Sequence, residues 1–469
     1  MNQIIADVGV YETRAAVVQN GRIIEMHVER HNQRSLVNNI YTGQIVNRLP
    51  GMQTIFVDAG LSKNIFIYQE DLTVPFNDLH EGDFILLQIT KDAFGEKGPK
   101  GTMRMAIPGR FLIMLPNDNH IGISHKISDH NERSRLENWA QTILNNNNGM
   151  IIRTAASEQN LKALTKDWQH LQSVWQHIAN ESKQSIKKIV YREQSLLPRL
   201  LRDTANQNTD RIQINDCEEA QQLKSLCQFT QPDLLAVFQE TGSGSSPFSD
   251  ENLELEWQRL LSSEVQLENG GTLAINATEA LTVIDVNSGR YIGSHGFEET
   301  ALQVNIAAAI EIAHQLRVRD IGGIILIDFI DMKKETNNEK VLETLNRALS
   351  VDRQKTVLVG MTQLGLVEMT RKRSRSNLSS LYQTTCPCCH GSGAISSVHW
   401  LVYELEKAFR RYQQHSEINE AHVTLHPTRY QQLRTHELDL TTLANVYGLN
   451  LNLTLSKSIE IEDYTLSFR

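Results

Sequence analysis

The chain has 469 residues, 40% of them hydrophobic and 22% charged, which is ordinary for a globular protein but too long for one compact core. Several folding units are therefore expected. The formal net charge of −9 excludes a protein that coats nucleic acid through bulk positive charge, although it is compatible with a local basic groove.

Neither a membrane span nor an export signal is recognisable in the sequence. No run approaches the roughly 20 apolar residues of a transmembrane helix, and the N-terminus lacks the charged and apolar regions of a secretion signal. The five cysteines agree with a cytoplasmic protein, because a disulfide framework would need an even and dispersed set.

The first 30 residues predict a small antiparallel meander. Apolar runs at 4–8, 15–18 and 23–28 are typical of strands, and glycine and asparagine residues mark the turns between them. Asp7, near the first strand, would suit a catalytic carboxylate of an RNase H-type fold. Because it has no evident acidic partner, we interpret Asp7 as structural.

Residues 37–107 continue as short strands separated by glycine turns, with apolar runs at 43–46, 54–58, 64–67 and 84–89. This spacing predicts a small closed barrel of the OB type. Barrels of this kind bind single strands by stacking bases on aromatic side chains beside a basic groove.

Two aromatic residues on these strands are candidate stacking platforms, Phe56 and Phe66. The alternative is that both belong to the barrel core, where aromatic residues of strands usually pack. The basic residues that would contact phosphate are Lys63, Lys91, Lys97, Lys100 and Arg104.

Beyond residue 108 the pattern alternates between helices and strands. The asparagine-rich and the glycine- and serine-rich stretches indicate loops, the second being the clearest flexible linker by composition. The predicted elements are strands at 110–115 and 150–154, helices at about 157–180 and 192–208, and loops at 145–149 and 241–250.

The strongest candidate site lies between residues 280 and 332. An apolar run at 281–284 ends at Asp285, and a second run at 324–327 ends at Asp328. Apolar residues at helical spacing predict a helix over 298–319 between them. If the two strands are parallel neighbours, both carboxylates emerge at the carboxyl edge of the sheet, where sites in such sheets form.

Two carboxylates so close together repel each other unless a cation lies between them. Mg²⁺ suits this position, since it takes a couple of carboxylates, keeps several waters and activates water against a phosphoryl group. Asn287 would orient Asp285 or bind phosphate, and Asp331 is a fallback ligand. The alternative is that these acids are helix caps or turn residues, and phosphatases and DNases would satisfy the same geometry.

The densest basic run, 371–375, follows the amphipathic segment 365–370. Such runs are usually solvated helix faces. After a candidate phosphate-cutting site, this one is also a candidate to hold the substrate backbone.

Three cysteines crowd into the four positions 386–389. Cys386 and Cys389 have the C-x₂-C spacing of half a zinc site, and the sequence has no second such pair. Either Cys388 and His390 complete the site, or a second chain supplies the other pair and zinc clamps a dimer. Reduced thiols in a loop without metal are the alternative.

Motifs spread over most of the chain resemble the ribonuclease E/G family. They occur in order and at family-like spacing up to about residue 395, which makes them more specific than any single motif. The residues that carry the resemblance are Asn39-Ile40-Tyr41-Thr42-Gly43, Leu49-Pro50-Gly51-Met52-Gln53, Phe56-Val57-Asp58-Ala59-Gly60, Pro108-Gly109-Arg110-Phe111-Leu112, Ile152-Arg153-Thr154-Ala155, Ile284-Asp285-Val286-Asn287-Ser288-Gly289, Ile327-Asp328-Phe329-Ile330-Asp331-Met332 and Leu364-Gly365-Leu366-Val367-Glu368-Met369-Thr370-Arg371-Lys372-Arg373.

The resemblance implies an α/β fold with several subdomains. In the family the RNase H-like part is structural, which agrees with the interpretation of Asp7. The expected parts are an RNase H-like subdomain from 1–36 and 197–262, an inserted OB-type RNA-binding barrel at 37–107, a 5′-sensor region at 108–196, a DNase I-like catalytic subdomain at 263–383, a zinc link at 384–395 and a small C-terminal domain at 396–469.

The resemblance also implies roles for individual side chains. The acids that match Asp285 and Asp328 bind Mg²⁺, and the match to Asn287 supports them. The remaining implied sites are Arg153 and Thr154 for the RNA 5′-monophosphate, Phe56, Phe66 and Lys97 for RNA on the barrel, and Cys386 and Cys389 for a zinc ion shared by two protomers.

The implied activity is Mg²⁺-dependent hydrolysis of A/U-rich single-stranded RNA, leaving 5′-phosphate and 3′-hydroxyl ends and stimulated by a 5′-monophosphate. The implied substrates are rRNA precursors and mRNA, with rRNA 5′ maturation as an expected task. A homodimer or homotetramer that does not associate with membranes is expected.

Some features depart from the family pattern. Cys388 adds a thiol between the two expected zinc ligands, the stretch at 241–248 is looser, and the part after about 398 resembles the family only faintly. No long disordered tail follows, which favours the branch of the family without one. The competing classes are a non-catalytic RNA-binding protein and a metal-dependent DNase or phosphatase.

Overall fold

The computed structural model describes residues 1–93, 95–144, 148–183, 186–206, 208–240, 246–278, 280–290, 296–373, 377–412 and 419–469, with only the backbone at 229 and 240. The chain forms two compact units, Met1–Leu378 and Ser379–Arg469. Among the helices within these ranges, none combines the length and the apolar character that crossing a membrane requires.

The described residues contain strands that belong to five sheets. In chain order the strands are β1 (Asn2–Val8), β2 (Glu12–Gln19), β3 (Arg22–Arg30), β4 (Ile40–Leu49), β5 (Thr54–Asp58), β6 (Ile65–Tyr68), β7 (Phe84–Lys91), β8 (Lys100–Thr102), β9 (Ile107–Pro108), β10 (Leu112–Pro116), β11 (Ile121–Ile123), β12 (Asn148–Ile152), β13 (Lys188–Tyr191), β14 (Arg211–Ile214), β15 (Phe238–Glu240), β16 (Glu264–Gln266), β17 (Thr272–Ala277), β18 (Leu281–Asn287), β19 (Gly323–Asp328), β20 (Thr356–Met361), β21 (Leu366–Arg371), β22 (Glu420–Leu425), β23 (Asn450–Leu455) and β24 (Tyr464–Phe468).

The α-helices vary from single turns to more than five turns. In chain order they are α1 (His130–Ile143), α2 (Leu161–Glu181), α3 (Leu196–Thr204), α4 (Cys217–Thr230), α5 (Pro247–Asp250), α6 (Glu254–Arg259), α7 (Phe297–Val318), α8 (Glu335–Leu349), α9 (Leu378–Tyr382), α10 (Val398–Tyr412), α11 (Pro427–Thr435) and α12 (Leu440–Val446).

The predicted N-terminal meander is confirmed as β1–β3, which pair antiparallel. The sheet is completed by β14, which lies parallel to β1, and by β15, so its order is β15-β14-β1-β2-β3. Asp7 accepts hydrogen bonds from Arg14 at 2.6 Å and from Asn215 at 2.8 Å, which supports its structural interpretation. Strands about 200 residues apart in sequence therefore form one sheet.

The predicted closed barrel is confirmed. Strands β4, β5, β6, β8 and β7 pair in that order, and the pairing of β4 with β7 closes the ring. Alternate residues of the strands point into it, and its centre is filled by fully buried isoleucine and valine side chains such as Ile55, Val57, Ile65 and Ile67. The five-stranded barrel is OB-like.

The segment after the barrel contains a four-stranded sheet, β11-β12-β10-β9, packed against α1 and α2. The predicted strand at 150–154 is shifted, since β12 already includes Asn148 and Gly149 and ends at Ile152. The loop prediction at 145–149 is therefore wrong for 148 and 149, and 145–147 lie outside the described residues. Asn160 caps α2 through the Lys162 amide, which explains why that helix begins later than predicted.

The predicted flexible stretch at 241–250 is wrong for its last residues, and 241–245 lie outside the described residues. Pro247–Asp250 form α5, and the Phe248 side chain is fully buried. Its ring lies 6.3 Å from the Trp257 ring in an edge-to-face arrangement, and the Arg14 guanidinium lies 5.3 Å from its centroid. One large aromatic side chain thus outweighs a loop-like composition, because its burial favours an ordered segment.

The predicted strand–helix–strand unit is confirmed as β18, α7 and β19. The sheet order is β16-β17-β18-β19-β21-β20, and β18 and β19 are parallel neighbours. Helices α7 and α8 cover one face, where Ile284, Ile327 and Ile312 belong to one apolar core. The other face carries the alternate side chains of β18 and β19.

The second unit has a three-stranded sheet of order β23-β22-β24, packed on α10–α12. Strand β22 is parallel to β23 and antiparallel to β24. Its core is formed by apolar residues of α10 and of the central strand, including Leu405, Phe409 and Val423.

Candidate functional site

The two strand-end acids are direct neighbours. In the parallel pairing of β18 with β19, Asp285 lies opposite Asp328. Their sequence neighbours Ile284 and Ile327 point into the core under the helices, so both carboxylates lie on the opposite, open face of the sheet. Asp285 is partly exposed and Asp328 is exposed, which leaves the pair accessible to a substrate.

Asn287 belongs to the same group of side chains. It lies two residues after Asp285 on the same strand, and its Nδ2 donates a hydrogen bond to Oδ2 of Asp285 at 2.7 Å. The strand continues through both residues and does not end at Asp285 as predicted. The amide therefore fixes the orientation of one carboxylate of the pair.

Two side chains of α7 hold the loop that follows Asp328. Asn305 is fully buried, donates to the Ile330 carbonyl at 2.8 Å and accepts from the Ile330 amide at 3.0 Å. Glu298 accepts from the amides of Lys333 and Lys334, and these hydrogen bonds lower the pKa of Glu298 below its ordinary value. The helix that joins the two strands thus also positions the end of the second one.

Asn305 and Glu298 were not among the residues singled out from the sequence. An asparagine within an apolar helix face was the available signal for Asn305, because a buried amide needs a partner. Glu298 carried the weaker signal of an acid in the first turn of a helix, which usually indicates interaction with the helix's own N-terminus.

The donor set at this edge suits Mg²⁺ better than a softer cation. It consists of two carboxylates and an amide, and Mg²⁺ binds proteins through one or two carboxylates while keeping several waters. Within the described ranges, no cluster of three or more His, Cys, Asp or Glu side chains is arranged around a common point for a metal ion. A cation between Asp285 and Asp328 would therefore complete its coordination shell with water. Asp331, the fallback ligand, is exposed in the loop that follows Asp328.

The basic run does not have the arrangement considered from the sequence. Arg371 is the last residue of β21, only 4% exposed, and its guanidinium contacts Asp320 at 2.7 Å and Asp352 at 2.8 Å. Arg371 is therefore not available to substrate, and the interpretation of the run as a solvated helix face is wrong for it. Lys372 and Arg373 are exposed, while 374 and 375 lie outside the described residues.

Arg153 and Thr154 lie just beyond β12. Arg153 donates to Asp203 Oδ1 at 2.7 Å and to the Gly109 carbonyl at 2.6 Å. Thr154 is exposed, and its hydroxyl lies 2.9 Å from that of Ser124. The structure thus places a guanidinium and a pair of hydroxyls at one end of the four-stranded sheet.

Phe56 and Phe66 are cross-strand partners on β5 and β6. Both are half-buried, whereas the residues on either side of them fill the barrel centre. The alternative that both are core residues is therefore wrong: their rings lie on the outside of the barrel. Lys97, in the segment that leads to β8, is exposed.

The other basic residues predicted near the barrel are partly engaged. Lys63 donates to the Gly95 carbonyl and Arg104 to the Glu70 carbonyl. Lys100 forms an ion pair with Asp71 at 2.7 Å. Exposed basic groups around the barrel include Lys91.

In the second unit, Cys386, Cys388 and Cys389 are free thiols. Backbone amides of Gly393 and Gly391 donate to the Cys389 sulfur and lower the pKa of that thiol, whereas burial and the neighbouring thiols raise the pKa of Cys388. Amides that point at Cys389 stabilise its thiolate, which is the form that binds metal. The contacts therefore favour the thiolate form at Cys389 and disfavour it at Cys388.

Comparison with known proteins places these features in a family. The family model described as "Ribonuclease E/G family" matches residues 106–374. The chain is 37% identical to ribonuclease G of Haemophilus influenzae over 431 residues and 36% identical to ribonuclease G of Escherichia coli K12 over 432 residues, in each case 87% of both chains. It is 33% identical to ribonuclease E of a Nostoc species over 447 residues, which are 90% of this chain and 62% of that protein.

Proposed function

The chain belongs to the ribonuclease E/G family and is an endoribonuclease; we propose that it hydrolyses A/U-rich single-stranded RNA with Mg²⁺ held by Asp285 and Asp328. The observation that carries this proposal is the direct pairing of the two acids across parallel strands, with Asn287 on one of them. A binding protein without catalysis would need none of these three side chains.

The residues around the acids prepare the site for phosphodiester hydrolysis. A bound Mg²⁺ supplies a polarised water and offsets the charge that develops on the phosphate under attack. Asn287 holds Asp285 in one orientation, and Asn305 fixes the chain two residues beyond Asp328. Holding the carboxylates in advance limits the reorganisation required when the substrate reacts. The products would carry 5′-phosphate and 3′-hydroxyl ends.

The substrate would reach this site along the barrel. Phe56 and Phe66 offer outward-facing aromatic rings on neighbouring strands, and Lys97 is exposed in the segment that leads to β8. Stacking on such rings accepts any base and needs an unpaired strand, which agrees with a single-stranded substrate.

A 5′-monophosphate would bind at Arg153 and Thr154 and stimulate cleavage. The guanidinium of Arg153 is held by Asp203 and the Gly109 carbonyl, and the hydroxyls of Thr154 and Ser124 lie beside each other. A phosphate would compete with Asp203 for Arg153, so the pocket would favour a doubly charged terminal phosphate over a 5′-hydroxyl end.

Zinc would join two copies of the chain through Cys386 and Cys389. One chain offers two thiols at C-x₂-C spacing, and a tetrahedral structural site needs four ligands. A second copy would supply the missing pair, giving a homodimer or homotetramer.

The remaining parts of the proposal concern organisation and cellular role. The domain boundaries given above, with RNase H-like and DNase I-like subdomains, are proposed from the resemblance. The protein would act in the cytoplasm on rRNA precursors, including their 5′ maturation, and on mRNA.

The test uses an A/U-rich oligonucleotide prepared as RNA with a 5′-monophosphate, as RNA with a 5′-hydroxyl and as DNA, each incubated with the protein and Mg²⁺. We expect internal cleavage of both RNAs, faster for the monophosphate, and none of the DNA. An Arg153→Ala variant should cut both RNAs at the slower rate. Equal cutting of DNA would favour a general nuclease, and binding of RNA without cutting would favour the non-catalytic alternative.

A further inference from the structure

Tyr68 extends the aromatic surface of the barrel beyond the two phenylalanines. It is the last residue of β6 and follows Phe66 by two positions, so both side chains lie on the same outer face of the strand. Its side chain is among the exposed large hydrophobic groups, at 37% relative exposure. The Tyr68 and Phe66 ring centroids are 5.4 Å apart with an interplanar angle of 70°.

A lysine from the adjacent strand holds the tyrosine ring at this position. Lys100 lies opposite Phe66 in the pairing of β6 with β8. Its Nζ is 5.1 Å from the Tyr68 ring centroid and 2.7 Å from a carboxylate oxygen of Asp71. The ion pair orients the ammonium group and the cation–π contact steadies the ring, which limits the entropy lost when a ligand stacks on it.

We propose that Tyr68 is a third base-stacking position for single-stranded RNA, next to Phe66, and this inference rests on the proposed function. Phe56 and Phe66 are opposite each other across two strands, and Tyr68 lies one step of roughly 7 Å further along β6. Phe66 and Tyr68 therefore offer two neighbouring rings on one strand.

RNA is the occupant that this chemistry fits. Every base has an aromatic face that stacks on a ring regardless of sequence, and Tyr68 offers an exposed ring next to that of Phe66. Packing of the barrel core does not explain why Tyr68 is exposed, since Ile65 and Ile67 already fill the inner side of the strand.

The experiment measures RNA affinity in the 469-residue chain carrying Asp285→Asn, with a labelled A/U-rich RNA followed by fluorescence anisotropy. Tyr68→Ala is compared with Tyr68→Phe and Phe66→Ala. Tyr11→Ala is the matched control, because Tyr11 is 80% exposed and lies between β1 and β2, which are not strands of the barrel. Thermal unfolding of each variant shows whether the fold is intact.

We expect Tyr68→Ala to weaken binding roughly 5- to 100-fold, the effect of losing one base–aromatic stack, and Tyr68→Phe and Tyr11→Ala to bind within about twofold of the parent. Single abasic nucleotides are then moved along the RNA. The effect of Tyr68→Ala should vanish with the abasic site at one position, adjacent to the position at which the effect of Phe66→Ala vanishes.

Three outcomes would overturn the inference. If Phe66→Ala weakens binding and Tyr68→Ala does not, Tyr68 is not a stacking position, while the proposed function stands. If the loss with Tyr68→Ala is the same at every abasic position, the residue acts only through the barrel structure. If neither variant changes affinity, the barrel face fails as an RNA site, and with it both this inference and that part of the proposed function.

Discussion

Replacing Asn305 with leucine should show what the anchoring of the loop after Asp328 contributes, while the proposed metal ligands Asp285 and Asp328 stay unchanged. Asn305 is fully buried in α7, and its amide makes two hydrogen bonds with the backbone of Ile330, at 2.8 and 3.0 Å. Leucine has a similar volume, so Asn305→Leu removes both hydrogen bonds without opening a large cavity. The chain just beyond Asp328 then loses its attachment to the helix that connects the two strands.

The expected size of the effect follows from these contacts. Each hydrogen bond contributes about 0.5–1.5 kcal/mol net, and a partner left unpaired adds a desolvation cost of about 1–3 kcal/mol. Because the Ile330 backbone is only partly buried, water can replace some of the loss, and we expect the free energy of unfolding to fall by about 2–4 kcal/mol. Loss of a supporting contact behind a metal ligand typically weakens metal affinity by roughly 10- to 100-fold.

The assay combines urea unfolding with cleavage of labelled RNA over a Mg²⁺ titration. We expect Asn305→Leu to raise the Mg²⁺ concentration for half-maximal cleavage by roughly tenfold or more while the rate at saturating Mg²⁺ falls less. Gln303→Leu is the matched control. Gln303 lies on the same helix and is exposed, and its side chain donates a hydrogen bond to the exposed Glu299. A lower unfolding free energy with an unchanged Mg²⁺ requirement would refute the positioning role.

Further predictions concern buried charges and zinc. Arg371→Met should lower the free energy of unfolding by about 3–5 kcal/mol in urea, because its two buried carboxylate partners lose their counterion. Burial alone would raise the pKa of Glu311, but hydrogen bonds from neighbouring side chains lower it by more. The net result is a pKa of about 2 instead of the ordinary 4.5. The ionised Glu311 therefore contributes fully to stability above about pH 4.5, and this contribution is lost as the pH falls towards 2. Over that interval, the free energy of unfolding should fall by roughly 3 kcal/mol less in Glu311→Gln than in the wild-type chain, as measured by acid unfolding. The proposed zinc link predicts that chelation of zinc, or Cys389→Ser, gives monomers in analytical ultracentrifugation, whereas Cys388→Ser leaves an oligomer.

Much of the candidate site at Asp285 and Asp328 could be predicted from local patterns. Two apolar runs that each end in an acid, separated by a helix with one apolar face, leave parallel pairing as the simple way to connect them. That pairing brings Asp285 opposite Asp328 without any information on distant contacts. The alternating strands of the barrel were predictable for the same reason, since a period of two requires only local residues.

Contacts between distant segments could not be predicted in this way. The pairing of β1 with β14 joins residues separated by about 200 positions, and no local pattern specifies that partner. The burial of Arg371 depends on Asp320 and Asp352, which come from two other segments. A basic run has the same local pattern whether its residues face solvent or a buried pair of acids.

Side-chain direction was the other limit. Period-two alternation shows that Phe56 points away from its neighbours Ile55 and Val57, but not whether Phe56 faces the barrel centre or its outer surface. The packing of Phe248 illustrates the reverse case, because its glycine- and serine-rich surroundings predicted a loop while the aromatic ring decides the local structure. The role of Asn305 could not be predicted without knowing that the loop containing Ile330 lies next to its helix.

The most direct measurement is cleavage of an A/U-rich RNA as a function of Mg²⁺ by the wild-type chain and by Asp285→Asn, Asp328→Asn and Asp331→Asn, with RNA affinity measured in parallel. We predict that the first two variants bind RNA normally and do not cut it at any Mg²⁺ concentration, while Asp331→Asn retains cleavage. Cleavage at the wild-type rate by Asp285→Asn or by Asp328→Asn would contradict the assignment of the metal to the paired strands.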